Sequence, residues 1–417
     1  MDIEKQLSER GLIADFSAPV KKIFECKRTV YLGIDPTADS MQLGNLAVIL
    51  LMKRLGDAGH KLVFLLGGAT GLIGDPREKG ERPLIGADIV QTRTQLYEKQ
   101  LKKLLGSISF RIVNNADWLS KLGLIDFLRD AGKYFTVNEL VKRDTIRRRL
   151  ETPNESISYT EFTYALLQGY DYLFLNEKYG CDLQIGGADQ WTNILSGVEL
   201  LRKKKSREVF AFTLPLVTDA TGKKFGKTEG NAIWLDSQKT LPFSFYQFWM
   251  QLPDDNLETY FKYFTFLTLV EIKNILNDHK IKPSERVAQK ALANAVTEIV
   301  HGKEVATQSA TVSDALFGKR SLEQLSKTEC EMLRKNTHFV TLSKKDIASV
   351  YTLADALVKS GLATSKGDAR RLITAKGIYV NDTQADDINQ NITMDDFTNA
   401  MILLRKGKHE VRLLILK

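Results

Sequence analysis

The sequence predicts an α/β chain: a parallel sheet flanked by helices, then an all-helical region, then a small α+β module. Three observations carry this. Between Thr29 and Val217 short apolar runs alternate with longer amphipathic ones, the pattern of strands joined by crossover helices. Glycine-rich turns follow several of these apolar runs, where the ligand crevice of such a sheet opens. After Pro242 the strand signal stops and helical periodicity takes over.

Residues 29–34, 62–66, 110–113, 183–185 and 214–217 read as the strands, each a short run rich in branched, aromatic or leucine side chains. Helical patterns lie between them, the longest over residues 159–179. Residues 242–317 read as helices only, including 285–296. Residues 318–345 are polar and weakly periodic, as a linker would be, and 350–417 resumes with helices and short β-rich runs. The expected division is 1–230, 231–320, a linker at 321–345, and 346–417.

At 417 residues the chain exceeds what one hydrophobic core organises, and 43% hydrophobic with 26% charged residues is ordinary for globular protein. No apolar run approaches a membrane span, and the charged start Met1-Asp2-Ile3-Glu4-Lys5 leads into no apolar segment, so a cytoplasmic protein is expected. Cys26, Cys181 and Cys330 are far apart, and His60, His279, His301, His338 and His409 show no paired spacing. Neither a disulfide framework, a metal site nor a histidine-activated nucleophile follows from them.

The formal charge of +8 permits a polyanionic partner. Two clusters concentrate it: Lys142-Arg143 with Arg147-Arg148-Arg149, and Arg202-Lys203-Lys204-Lys205 with Arg207. Either suits phosphates or a plain solvated face.

Polar groups recur at helical spacing within 159–179, where a buried face should be apolar. Tyr164, Gln168 and Asp171 fall at i, i+4 and i+7 and share one face. A phenol, a carboxamide and a carboxylate so aligned are costly to bury against hydrocarbon but suit a small ligand bearing a charge and a hydroxyl. Leu183-Gln184-Ile185-Gly186-Gly187-Ala188-Asp189-Gln190-Trp191 follows at once.

Three turns complete the constellation. Tyr31-Leu32-Gly33-Ile34-Asp35-Pro36-Thr37-Ala38-Asp39-Ser40-Met41-Gln42-Leu43-Gly44-Asn45 runs from a strand into a helix, whose free N–H groups and positive dipole end seat phosphate. Gly67-Gly68-Ala69-Thr70-Gly71-Leu72-Ile73-Gly74-Asp75 places a carboxylate, able to bind an ammonium group, near the same sheet edge. Lys223-Lys224-Phe225-Gly226-Lys227-Thr228 is not a Walker loop, but its lysines suit a polyphosphate and the charge that develops as pyrophosphate leaves. Any one of these turns alone would serve as plain structure.

Together, and in this order, the segments 35–40, 67–75, 183–191 and 224–228 resemble those of the bacterial-type tyrosyl-tRNA synthetases, class I aminoacyl-tRNA synthetases, and the likeness runs from Tyr31 over nearly the whole chain. It implies a Rossmann-like catalytic domain, an all-helical domain near the anticodon arm and a small α+β RNA-binding domain. The implied reaction forms tyrosyl-adenylate from tyrosine and Mg-ATP, then moves the tyrosyl group to the 3'-terminal adenosine of tyrosine tRNA, with no protein nucleophile and no permanently bound cofactor.

By the same resemblance, Tyr31 and Asp171 would hydrogen-bond the phenolic hydroxyl, Asp75, Tyr164 and Gln168 would hold the α-ammonium, and Gln190 would lie near the carboxyl. Gly33, Asp35, Gly44, Gly187 and Asp189 would contact adenosine and ribose, with Leu216 and Val217 beside adenine. Thr37, Lys79, Arg82, Lys224, Lys227 and Thr228 would surround the β- and γ-phosphates. Arg147, Arg148, Lys204, Lys366, Arg370 and Arg371 would meet tRNA, the last three within Ser365-Lys366-Gly367-Asp368-Ala369-Arg370-Arg371-Leu372-Ile373. A homodimer with Tyr159 near its interface is also implied.

The clearest departure is Gln42-Leu43-Gly44-Asn45, where class I synthetases carry His-Ile-Gly-His or a close relative. Both amides can donate to phosphate, but Gln42 stays neutral, so weakened rather than abolished catalysis is expected. Two rival readings are a synthetase-derived RNA-binding protein without adenylation, and a tryptophanyl-type enzyme. The latter would not need Tyr31 and Asp171 in this setting.

Overall fold

The computed structural model describes residues 2–77, 80, 83–218, 222, 225–228, 231–317, 320–348, 351–407 and 410–417, with the backbone alone at 227, 228, 231 and 348. The chain forms two compact units, one of residues 1–239 and 253–276, the other of 240–252 and 277–417.

In the first unit, β1 (Thr29–Ile34), β2 (Lys61–Leu66), β3 (Phe110–Asn114), β4 (Leu183–Gly187) and β5 (Phe210–Leu214) form a five-stranded sheet of order β3-β2-β1-β4-β5. All four pairings are parallel. Sheets of this kind carry helices on their faces, which is why β2 and β5 read as nearly unbroken apolar runs rather than alternating ones. The order reverses between β1 and β4, and ligands bind at the carboxyl ends beside such a switch point. Two short strands of the same unit, β6 (Lys227–Thr228) and β7 (Asn231–Ala232), pair separately.

The fifth strand corrects the expected 214–217. Residues 210–214 are all buried, and the strand stops where Pro215, lacking an N–H, cannot extend the ladder. Within one long apolar stretch the proline, not the hydrophobicity, sets the boundary. The open edge of β5 is closed by the N-terminal segment: Ala14 N donates to Thr213 O at 2.8 Å and Ser17 N to Ala211 O at 2.9 Å.

The Tyr159–Tyr179 helix is specified at both ends. The Ser158 side chain accepts from Glu161 N at 3.2 Å, and Gly180 closes the helix at φ +67°. Its Tyr172, Leu173 and Leu175 join Tyr31, Trp118 and Leu200 in the core behind β1 and β4.

The second unit contains the helices Pro242–Met250, Val287–His301, Lys303–Leu316 and Lys327–Asn336, and a second sheet. That sheet comprises β8 (Phe339–Leu342), β9 (Ile378–Val380), β10 (Thr383–Gln384), β11 (Met401–Lys406) and β12 (Glu410–Leu416), in the order β10-β9-β11-β12-β8. Met401, Leu403 and Leu413 pack with Val312, Leu316 and Leu333, whereas Ile402, Leu404 and Leu414 pack with Leu353, Leu357 and Ile373. Alternation along β11 thus buries both sheet faces.

Two expectations change. Segment 321–345 is folded, carrying the Lys327–Asn336 helix and β8, which pairs in parallel with β12. Its polarity reflects a helix half in water and an edge strand whose Phe339 is exposed. The helical region does not stay together either: residues 253–276 belong with the first unit. There Arg54 donates to Thr265 O, and Arg10 to the carbonyls of Lys262 and Leu267.

Candidate active site

Strand ends deliver the site. β1 leads into Asp35, β2 into Gly67, β3 into Asn115, and β4 ends at Gly187. Tyr31 and Asp171 are both buried and close enough for the Asp171 charge to act on the Tyr31 phenol; the Tyr31 side chain is fully buried, and its hydroxyl has no hydrogen-bond partner among the described residues. Burial, then the neighbouring Tyr172, Asp171 and Cys181, push its pKa well above that of a free phenol, so it stays neutral.

Asp171, 2% exposed, accepts from Trp118 Nε1 at 2.8 Å and Asn115 Nδ2 at 2.9 Å. Burial raises its pKa to about 7, against the lowering effect of those two donors, and Asp35 adds to the rise. A carboxylate offers about four acceptor positions, so two remain for a hydroxyl donor. Asn115 is held in turn, accepting from Ala69 N at 2.8 Å and donating to Thr70 Oγ1 at 2.9 Å.

Asp35 is gripped by its neighbours. Thr70 Oγ1 donates to Oδ1 at 2.7 Å and Tyr164 Oη to Oδ2 at 2.9 Å. The Tyr164 oxygen keeps lone pairs with which to accept from an ammonium group. Asp75 accepts from Gln190 Nε2 and from Asn193 Nδ2, both at 2.8 Å. Gln168 is half-buried on the helix that carries Tyr164 and Asp171.

On the side expected for phosphate, Gln42 caps the Leu43–Asp57 helix, and its N–H donates to Asn45 Oδ1 at 2.9 Å. With that oxygen engaged, the Asn45 NH2 is left to donate elsewhere. This turn is stitched to the chain after the lysine-rich loop: Leu43 N donates to Ile233 O at 2.9 Å and Leu235 N to Met41 O at 3.0 Å. Gly226, at φ +84°, lies so close that a Cβ there would sit 3.0 Å from Leu43 Cβ, while Phe225 stacks on Tyr260 with centroids 4.3 Å apart.

Thr37 is exposed, with Arg93 Nη1 donating to its carbonyl at 3.1 Å. Gly33, Gly44 and Asp189 are exposed, Gly187 and Val217 half-buried, and Leu216 is 46% exposed. Lys79, Arg82 and Lys224 lie outside the described residues, and for Lys227 and Thr228 the backbone alone is described, in β6 paired with β7.

The basic segments are less free than their composition implies. Arg149 is buried and donates to both oxygens of Glu161 at 2.9 Å. Lys204 Nζ donates to Asp130 O at 2.8 Å, Lys203 pairs with Glu139 and Glu199, and Lys205 with Glu177. Arg147 pairs with Asp144 at 2.8 Å and Arg148 is exposed. In the second unit Lys366 pairs with Asp355 and Arg371 with Asp368, while Arg370 is exposed on the Lys366–Thr374 helix.

Sequence reasoning missed Thr70, Asn115, Trp118 and Asn193. Two carried a signal: an Asn-Asn pair directly ends a strand, and Asn193 follows Gln190 by one helical turn.

Known proteins resemble this chain over nearly its whole length. A family model described as tRNA synthetases class I (W and Y) matches residues 25–318, and one described as a tyrosine–tRNA ligase SYY-like C-terminal domain matches 329–414. The chain is 42% identical over 417 residues to a tyrosine–tRNA ligase of Roseiflexus castenholzii, covering 98% of each chain. It is 43% identical over 423 residues to one of Streptococcus pyogenes, covering 99% of this chain and 100% of that one. Among solved structures, a C-terminally truncated mitochondrial tyrosyl-tRNA synthetase of Aspergillus nidulans matches with TM-score 0.69 and 35% identity over 76% of this chain and 94% of that one. A tryptophanyl-tRNA synthetase of Encephalitozoon cuniculi shares the fold, with TM-score 0.54 at 14% identity over 75% of this chain and 91% of that one.

Proposed function

We infer the reaction from one premise: the chain belongs to the tyrosyl-tRNA synthetase family of class I enzymes. It is a tyrosine–tRNA ligase that takes tyrosine, ATP and tRNA as substrates. The observation that carries the choice of amino acid is the buried pair Tyr31 and Asp171, a phenol without a hydrogen-bond partner among the described residues and a carboxylate with unused acceptor positions that acts on it electrostatically. Phenylalanine would bring no hydroxyl to the Tyr31 phenol or to the unused acceptor positions of Asp171, and an unmatched buried polar group costs about 1–3 kcal/mol.

In the first step a tyrosine carboxylate oxygen attacks the α-phosphorus of ATP, and the bond to the bridging oxygen breaks as pyrophosphate leaves. In the second, a ribose hydroxyl of the terminal adenosine attacks the tyrosyl carbonyl and AMP leaves. The substrate supplies the nucleophile each time, so the protein's task is placement and charge stabilisation. Asp75 with Tyr164 and Gln168 receives the α-ammonium, and Gln190, tied to Asp75, sits at the carboxyl. Gly33, Asp35, Gly44, Gly187, Asp189, Leu216 and Val217 bind the nucleoside. Thr37, Gln42, Asn45, Lys79, Arg82, Lys224, Lys227 and Thr228 take up charge on the departing phosphates. Magnesium would come with ATP as part of the substrate and would supply further neutralisation of phosphate charge.

Gln42 is the test of that division of labour. Gln42→His should raise the rate of tyrosine-dependent pyrophosphate exchange by about ten-fold, because a charge-assisted hydrogen bond is roughly twice as strong as a neutral one. The tyrosine Kd should stay unchanged. A changed Kd at constant rate refutes the assignment; no exchange in the wild type, with recovery in Gln42→His, identifies instead a disabled synthetase that binds RNA.

The chain acts as a homodimer, a reading supported by exposed apolar residues gathered between 124 and 159: Leu124, Ile125, Val137, Leu150 and Tyr159, each more than half exposed. Sedimentation should give twice the chain mass, and Tyr159→Asp should halve it; a monomeric wild type contradicts this. Arg147, Arg148, Lys204, Lys366, Arg370 and Arg371 contact tRNA phosphates, so substituting them should flatten the salt dependence of tRNA binding. Among the described residues no helix is long and apolar enough to cross a membrane. The enzyme works in the cytoplasm, where fractionation should recover it.

A further inference from the structure

Arg143 belongs to a basic run that reads as phosphate-binding, yet its guanidinium turns inward. It donates to Ser196 Oγ at 2.6 Å and, at the long distance of 3.5 Å, to Asn193 Oδ1. Its backbone is held in place because it precedes the Asp144–Glu151 helix, whose Ile146 and Arg149 are buried.

Asn193 connects this cation to the substrate pocket. Its Nδ2 donates to Asp75 Oδ1 at 2.8 Å and to Gln190 Oε1 at 3.3 Å, and Gln190 Nε2 donates to Asp75 Oδ2 at 2.8 Å. The Asp75 carboxylate is thus clasped by two side-chain amides. A primary amide is nearly symmetric in shape, and turned over it would present oxygen to the carboxylate and repel it. A cation on the Oδ1 side excludes that orientation, as outer partners fix the ligands of metal sites.

We propose that Arg143 is a positioning residue for tyrosine recognition, orienting Asn193 so that Asp75 is held ready for the α-ammonium group of the substrate. This rests on the reading of Asp75 as the ammonium site. Burial lowers the pKa of Arg143, while Glu199, Asp75 and Glu139 act to keep it protonated.

Three ligands separate this role from simple support of the fold: tyrosine, tyramine, which keeps the ammonium but lacks the carboxylate, and 3-(4-hydroxyphenyl)propanoate, which lacks the ammonium. In Arg143→Met, equilibrium binding of tyrosine and tyramine should weaken about ten-fold and that of the propanoate by less than about two-fold. Arg143→Lys, which keeps a cation, should recover tyramine binding to within about three-fold. Equal weakening of all three ligands, or of none, overturns the proposal, and Arg143→Gln serves for the same comparison if the methionine variant does not fold. Asp75→Asn is the control: if it binds tyramine as the wild type does, the ammonium lies elsewhere and both readings fall.

Discussion

Asp171→Asn should lower kcat/KM for tyrosine in pyrophosphate exchange by about 10³-fold and lower the weak activity with phenylalanine much less. The side chain has three tasks, and asparagine fails at two. Asn115 Nδ2 and Trp118 Nε1 both donate to Asp171, so an amide in its place points its own NH2 at one of them. The incoming hydroxyl also loses a charged acceptor, worth about 1.5–3 kcal/mol, and the blocked donor costs about 1–3 kcal/mol more. Discrimination between tyrosine and phenylalanine of about 10⁵ is an established property of tyrosyl-tRNA synthetases, known independently of this geometry. An equal loss for both amino acids would mean that Asp171 only supports the fold.

The same variant should change how stability depends on pH. Asp171 titrates at about 7 when folded, against about 3.9 in an unfolded chain. Its folded-state pKa is raised, so its contribution is fully present below about pH 4 and is lost as pH rises toward about 7. The wild type should therefore lose stability on the order of a few kcal/mol between about pH 4 and 7 from this group, and Asp171→Asn should remove that slope. Denaturant unfolding across that range checks it; parallel pH profiles for the two proteins would contradict it.

Gly67→Ala should cost about 2–3 kcal/mol of stability and at least about 100-fold in adenylation. A Cβ at Gly67 would lie 1.9 Å from Asp35 Oδ1 and 2.5 Å from Thr70 Oγ1, closer than atoms can approach. The backbone cannot retreat easily, because Gly67 N donates to Ile34 O at 3.0 Å where β2 joins β1. Asp35 must then move, breaking its bonds from Thr70 and Tyr164 and displacing two groups that line the pocket. Denaturant unfolding and exchange kinetics measure the two effects; wild-type exchange in Gly67→Ala would show that Asp35 need not be held where it is.

Much of the candidate site was legible because its signals are local. Tyr164, Gln168 and Asp171 share a helix, so spacing alone aligned them, and the turns at 35, 67 and 187 follow strands whose apolar runs mark their ends. What stayed hidden depends on distant partners. Nothing near Asp171 announces that Asn115 and Trp118, more than fifty positions earlier, will hold it. Arg149 reads as part of a basic face until Glu161, in the first turn of the next long helix, pairs with it. Phe339–Leu342 reads as linker because an edge strand is half in water and its partner β12 is the last strand of the chain.

The most direct measurement is tyrosine-dependent exchange of labelled pyrophosphate into ATP, without tRNA, repeated with phenylalanine and tryptophan in place of tyrosine. Exchange supported by tyrosine alone is the predicted result, because only tyrosine offers a hydroxyl to Tyr31 and Asp171. Exchange supported equally well by phenylalanine or tryptophan, or by none of the three, would contradict the assignment of this pocket.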